Sequence, residues 1–158
     1  MTVKGRLLES LRFSHKCVND LLDGFPTEEA IFRPASTDNH ALWILGHLAV
    51  TDEWILKKFD QDPILPENYE KLFGYNTEVK DDPSIYPSFE EILQNFRTIR
   101  EQLFAIYEEA DDAKLSQPIG EFEGDLMSSI SMLAWHDGWH GGQLSGIRRA
   151  IGLAPAFG

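Results

Sequence analysis

The sequence predicts an all-α fold, a four-helix bundle in up-down-down-up order with a long crossover between its second and third helices. Four segments carry apolar residues at three- and four-residue steps, no segment alternates convincingly with period two, and a connection of about 25 residues separates the middle pair. The length of 158 residues suits one domain spanning 1–158, and a hydrophobic content of 42% is high enough to build a core.

The first helix is expected over about residues 3 to 23, where Leu7, Leu8, Leu11, Val18, Leu21 and Leu22 recur before Gly24 and Pro26 stop it. The polar cluster Ser36-Thr37-Asp38-Asn39 is rich in capping residues. It opens a second run, in which Ile44, Leu48, Thr51 and Ile55 share a face until about Asp60. Between Gln61 and Ser88 four prolines surround one short helix-like piece, NYEKLF. A connection this long can carry the chain back along the bundle, whereas a tight turn forces antiparallel neighbours. Ser88 with Glu91 reads as a capping box for a third helix up to about Asp111, with Ile92, Phe96, Ile99, Leu103 and Ile106 on its buried stripe. After a loop holding Pro118, Gly120 and Gly124, the fourth helix runs from about Asp125 to Ala150.

Charge and composition narrow the function classes. Fourteen Lys and Arg against 26 Asp and Glu give a formal charge of −12, which repels phosphate backbones and anionic headgroups, so neither nucleic acid nor membrane is expected as a partner. Arg148 and Arg149, at the end of the last helix, fit the macrodipole and surface solvation. The start MTVKGRLLES lacks a signal-peptide segment and no apolar run approaches the ~18 residues of a membrane span, so a cytoplasmic protein is expected. The one cysteine, Cys17, makes neither an internal disulfide nor a cysteine metal cage and reads as a small apolar filler. Any metal must use His, Asp or Glu.

In WHDGWHGGQ, His136 and His140 have the i, i+4 spacing that stacks two imidazoles on one helical face within reach of one ion. His47 is the best third ligand, because it shares the inward stripe of the second helix with Ile44 and Thr51, where a histidine is unusual. Three neutral imidazoles would leave a divalent ion with an open position, as in catalytic zinc sites, and nickel fits imidazole equally. His40 lies about 10 Å from His47 along the axis and reads as a supporting or structural residue. His15 reads as a partly buried histidine. Trp43, Trp54, Trp135 and Trp139 all lie on the histidine-bearing helices; they either wall a pocket or pack cores and interfaces, with Trp135 and Trp139 expected against a neighbouring helix or subunit. Gly138, Gly141, Gly142 and Gly146 suggest close approach of a backbone or ligand. Gln143 and Asp137, with Trp43 and His40, are candidates to support the site or line its pocket; no general base is identifiable, Asp137 and Glu53 being the nearby carboxylates. HDGWH also has the frame of a zincin helix, with aspartate at the base position and no third histidine following. The paired Glu-x-x-His motifs of a carboxylate-bridged dimetal bundle are absent from the sequence.

His47 within WILGHLA, the segment LFGYNTEVKDDPSIYPSFEEIL and the closing WHDGWHGGQLSGIRRAIG together resemble the DinB-like (DinB/YfiT) superfamily. The resemblance implies an up-down-down-up four-helix bundle, commonly a homodimer, with a divalent metal held by His47, His136 and His140. It also implies a small-molecule substrate, since relatives include thiol-dependent S-transferases and a thiol-dependent isomerase that use a low-molecular-weight thiol. A metal-dependent thiol transferase or hydrolase is one expectation; a non-catalytic, metal-stabilised stress-associated dimer is the other.

Overall fold

The computed structural model describes residues 2–120 and 124–157. Among them the chain is all-helical: α1 (Val3–Leu22), α2 (Ala41–Lys58), α3 (Tyr69–Phe73), α4 (Phe89–Glu109), α5 (Asp112–Leu115) and α6 (Leu126–Ala150), with 3-10 turns at Thr27–Glu29 and Pro83–Ile85. No strand is present among the described residues, and the one bridge is an isolated pairing of Pro118 with Asp125. None of these helices is long and apolar enough to cross a membrane.

Local chemistry sets the helix ends. The Thr2 hydroxyl accepts from the Gly5 amide, and the Ser88 hydroxyl from that of Glu91. Asp125 and Ser128 form a reciprocal capping box on α6. The cap of α2 is His40 itself, one residue beyond the polar cluster that suggested the start: its Nδ1 accepts from the Trp43 amide at 2.9 Å while Nε2 meets the Lys80 carbonyl at 3.0 Å. His40 is fully buried and acts as a structural pin between α2 and the crossover. The piece NYEKLF forms α3, whereas α5 occupies a stretch that the pattern left as loop because it is only 4 residues long.

Packing joins α1 to α6 and α2 to α3, α4 and α6. Leu11, Ile44, Leu45, Ile55, Ile92, Phe96, Ile99, Leu103 and Leu144 are completely buried, so every long helix contributes to one core. At its centre lies Arg100 of α4. Its Nε and Nη2 donate to the two Asp52 oxygens at 2.7 and 2.9 Å, and its Nη1 and Nη2 donate to the two Asp137 oxygens at 2.6 and 3.0 Å. Ser14 of α1 donates to Asp137 at 2.8 Å, which brings the fourth long helix into the same network. Burial would lower the Arg100 pKa, but the two carboxylates outweigh it and hold the guanidinium charged. Burial pushes Asp52 up to about 6 against the pull of that guanidinium.

Arg148 departs from the surface role expected of it. It is buried, with Nη1 donating to the Leu21 and Asp23 carbonyls at 2.7 and 2.9 Å, so it satisfies the C-terminal end of α1 from α6. Among the described residues nothing lies within 4 Å of a Cβ built on Gly138, Gly142 or Gly146, and Gly141 meets only Leu21 at ordinary contact distance, so none of them makes the close approach that these glycines suggested.

Removing one partner from a buried ion network leaves an uncompensated charge, whereas removing all of them does not. Arg100→Met should cost about 3–5 kcal/mol in urea unfolding, and Arg100→Met with Asp52→Leu and Asp137→Leu should recover much of that loss. Equal losses in the single and triple variants would assign the effect to packing alone.

Candidate functional site

Two local periodicities converge on one point. Midway along α2 the inward stripe places His47, and one turn of α6 places His136 and His140, and the packing of α2 on α6 brings the three rings together. Each offers a ring nitrogen within 4.8 Å of the other two. Ring centroids lie 5.1 Å apart for His47 with either partner and 4.6 Å apart for His136 with His140.

Surrounding groups orient two of the rings. His47 Nδ1 donates to the Phe73 carbonyl at 2.8 Å, and His140 Nδ1 donates to Gln143 Oε1 at 3.0 Å. That carboxamide oxygen also accepts from Asn39 Nδ2 at 3.3 Å, so Gln143 ties the histidine to the segment before α2. Occupied Nδ1 atoms leave Nε2 as the free donor on both rings. Three imidazole nitrogens this close to one another are a donor set that suits zinc or nickel. The donor set therefore fits a single divalent ion.

The rings are held neutral. Burial lowers His136 to about 3 with help from the neighbouring His140 and His47, and burial lowers His140 to about 4. His47 is also lowered by burial, opposed by its bond to Phe73 and by the Glu70 carboxylate. Neutral imidazole is the form that binds metal, so protons compete little for this site at neutral pH.

Above the histidines opens a pocket of about 800 Å³. All four tryptophans line it. Trp43 lies flat on His47, with ring centroids 4.7 Å apart and planes 9° from parallel, and its Nε1 donates to Thr77. Trp135 and Trp139 are 63% and 59% exposed with ring centroids 5.7 Å apart; they form an open wall of the pocket rather than packing on another helix of the chain. Val50, Thr51, Met132 and Ile119 complete the apolar side, and Glu70 of α3 contributes a carboxylate.

The two carboxylates named from sequence have other roles. Asp137 is not among the residues lining this pocket; it turns into the core and is claimed by Arg100 and Ser14. Glu53 is buried, and its Oε1 accepts from the Ile64 and Leu65 amides at 2.7 and 2.6 Å, which fastens the crossover to α2. Glu70 was missed because nothing local marks it: only the docking of α3 brings it to the pocket. His15 packs on Phe96 with ring centroids 5.0 Å apart, and half-buried Cys17 lies in a separate depression between α1 and α6.

Phe73 was missed too, although Gly46 signals it. A Cβ on Gly46 would stand 2.4 Å from the Phe73 ring, so only glycine lets α3 approach α2 closely enough for the Phe73 carbonyl to reach His47.

Against known proteins, the family model described as the DinB superfamily matches residues 11–144, which include all three histidines, and the chain belongs to that superfamily. A crystal structure described as that of a conserved protein from Enterococcus faecalis has the same fold, with a TM-score of 0.69 at 17% identity, covering 96% of this chain and 98% of that one. No curated protein sequence matches significantly.

Gly46→Ala is expected to lower stability by about 1–3 kcal/mol through overpacking against Phe73. Gly142→Ala, whose added Cβ meets nothing within 4 Å among the described residues, should be neutral or gain about 0.5–1 kcal/mol. Chemical denaturation of the two variants side by side checks both.

The depressed histidines also fix a pH dependence for metal-free protein. Their folded pKa values lie below the unfolded value of 6.5, so the stability they contribute is present above that pH and is lost as pH falls toward 4 and 3. Asp52, raised to about 6, works in the opposite sense and offsets part of the loss between about pH 6 and 4. Melting temperature of chelated protein should fall from pH 7 to 4.5, less steeply in a His136→Gln/His140→Gln variant. Parallel slopes would show that these rings are not the source.

Proposed function

We propose that this chain binds one divalent ion, zinc or nickel, through His47, His136 and His140, and that it is a metal-dependent enzyme of the thiol-transferase or hydrolase type. The observation carrying this reading is the three-histidine cluster at the base of a tryptophan-walled pocket that reaches solvent. An ion held there supplies Lewis acidity toward a water or a low-molecular-weight thiol. The chain's own residues do the rest. Phe73 and Gln143 hold two imidazoles in the tautomer that presents Nε2, and Trp43 fixes the plane of His47 by stacking. Val50, Met132 and the tryptophan faces exclude water from an apolar small-molecule substrate.

The up-down-down-up order of the four long helices and a homodimeric state belong to the same reading. The exposed glycine face of α6, with Phe13 of α1 70% exposed, supports the dimer. An ion that only stapled α2 to α6 would serve a non-catalytic dimer. The size and access of the pocket favour catalysis over that role.

Elemental analysis by plasma mass spectrometry, after equal dialysis in zinc, tests the site. Wild type should retain about one ion per chain, and His47→Ala, His136→Ala and His140→Ala should each lose it. Gln143→Ala should bind about 10–100-fold more weakly, because His140 loses the partner that orients it. Metal-free wild type after zinc or nickel loading would return the three histidines to ordinary packing. Thiol transfer to an electrophile and ester hydrolysis, assayed with the ion in place, then separate enzyme from staple.

A further inference from the structure

The pocket's charge distribution carries information about its ligand that the histidines do not. Among the described residues its lining holds one carboxylate, Glu70, and no lysine or arginine. Lys58 places its Nζ 4.8 Å over the Trp54 ring but does not line the pocket. An anionic substituent projecting away from the histidines would therefore find no cation in the described lining and would meet a lining carboxylate that repels it. Recognition of carboxylates or phosphates in a part-buried site ordinarily rests on arginine or lysine.

What remains for a ligand is aromatic surface. Trp135 and Trp139 present exposed faces and Trp43 carries the wall down to His47, a lining that favours flat apolar bodies and, through the ring quadrupoles, cationic groups.

Resting on the reading of this pocket as a ligand site, we propose that its substrate is a neutral or cationic apolar molecule, laid against the tryptophan wall, and that Glu70 discriminates against anionic ones. Glu70 acts here on selectivity. It is placed by α3, and its exposure makes Glu70→Gln a substitution that leaves the core intact.

Three probes sharing one naphthalene body test this: (1-naphthylmethyl)trimethylammonium, 1-naphthalenemethanol and 1-naphthaleneacetate, each titrated by calorimetry into zinc-loaded and chelated full-length protein. In chelated protein the cationic and neutral probes should bind at least about tenfold more tightly than the anion, a gap of about 1.4 kcal/mol. Glu70→Gln should shrink that gap severalfold, and Trp139→Ala should weaken all three probes, the cationic one most. Equal binding of the anion, a gap untouched by Glu70→Gln, or no binding of the cationic and neutral probes would each overturn the proposal. Zinc stoichiometry on the same samples reads the metal site separately: retained zinc with the wrong probe order defeats only the selectivity, whereas absent zinc with the right order defeats only the metal.

Discussion

Arg100 sits where the four long helices meet, and the geometry of its two carboxylate partners constrains the rest of the molecule. A guanidinium fully removed from water is tolerable only when its donors are engaged and its charge is matched, so Asp52 on α2 and Asp137 on α6 must both lie within hydrogen-bond reach of α4. Apolar stripes slide and rotate against one another at modest cost. A bidentate fork does not, and it fixes the rotation of α2 and α6 as well as their axial register.

That registration is what the histidines inherit. Asp137 follows His136 directly and precedes His140 by three residues on the same helix. Once Asp137 is locked to Arg100, the helical repeat dictates that the two imidazoles emerge on the side facing α2. Asp52 does the same for His47 from within α2, five residues further along. The site's outer supports are of a different kind. Phe73 and Gln143 are held by α3 and by the segment before α2, and they set ring orientation rather than helix position. Core ion network and peripheral hydrogen bonds thus divide the placement of one three-residue cluster between them.

The long helices were legible because their stripes are continuous and their caps local. Leu8, Leu11, Val18, Leu21 and Leu22 on α1 and Ile92, Phe96, Ile99 and Leu103 on α4 are buried as their spacing announced, while Leu7 and Ile106 at the stripe edges are partly buried, and Ser88 caps the helix it was expected to cap. The histidine pair on α6 was legible for the same reason, and His47 because a polar residue stood on an inward stripe. The same reasoning applied to Arg100 and Asp52 would have raised the buried network, since both are charges among buried neighbours: Phe96, Ile99 and Leu103 flank the one, Leu48 and Ile55 the other. A charged residue on an apolar stripe is a weak signal alone, because its partner can lie anywhere in the chain. Arg100 finds its partners 48 and 37 residues away.

Sequence by itself determined the all-helical architecture, the positions of the long helices and the three histidines as a candidate set, because each rests on interactions that repeat within a few residues. Tertiary structure decided which carboxylates keep their freedom. Asp137, beside the histidines in sequence, is consumed by Arg100; Glu53 is consumed by the crossover's backbone; Glu70, far from the histidines in sequence, is the carboxylate that lines the tryptophan pocket among the described residues. A carboxylate's role follows from the donors that reach it first in space, and those donors come from other helices whose packing no local pattern encodes.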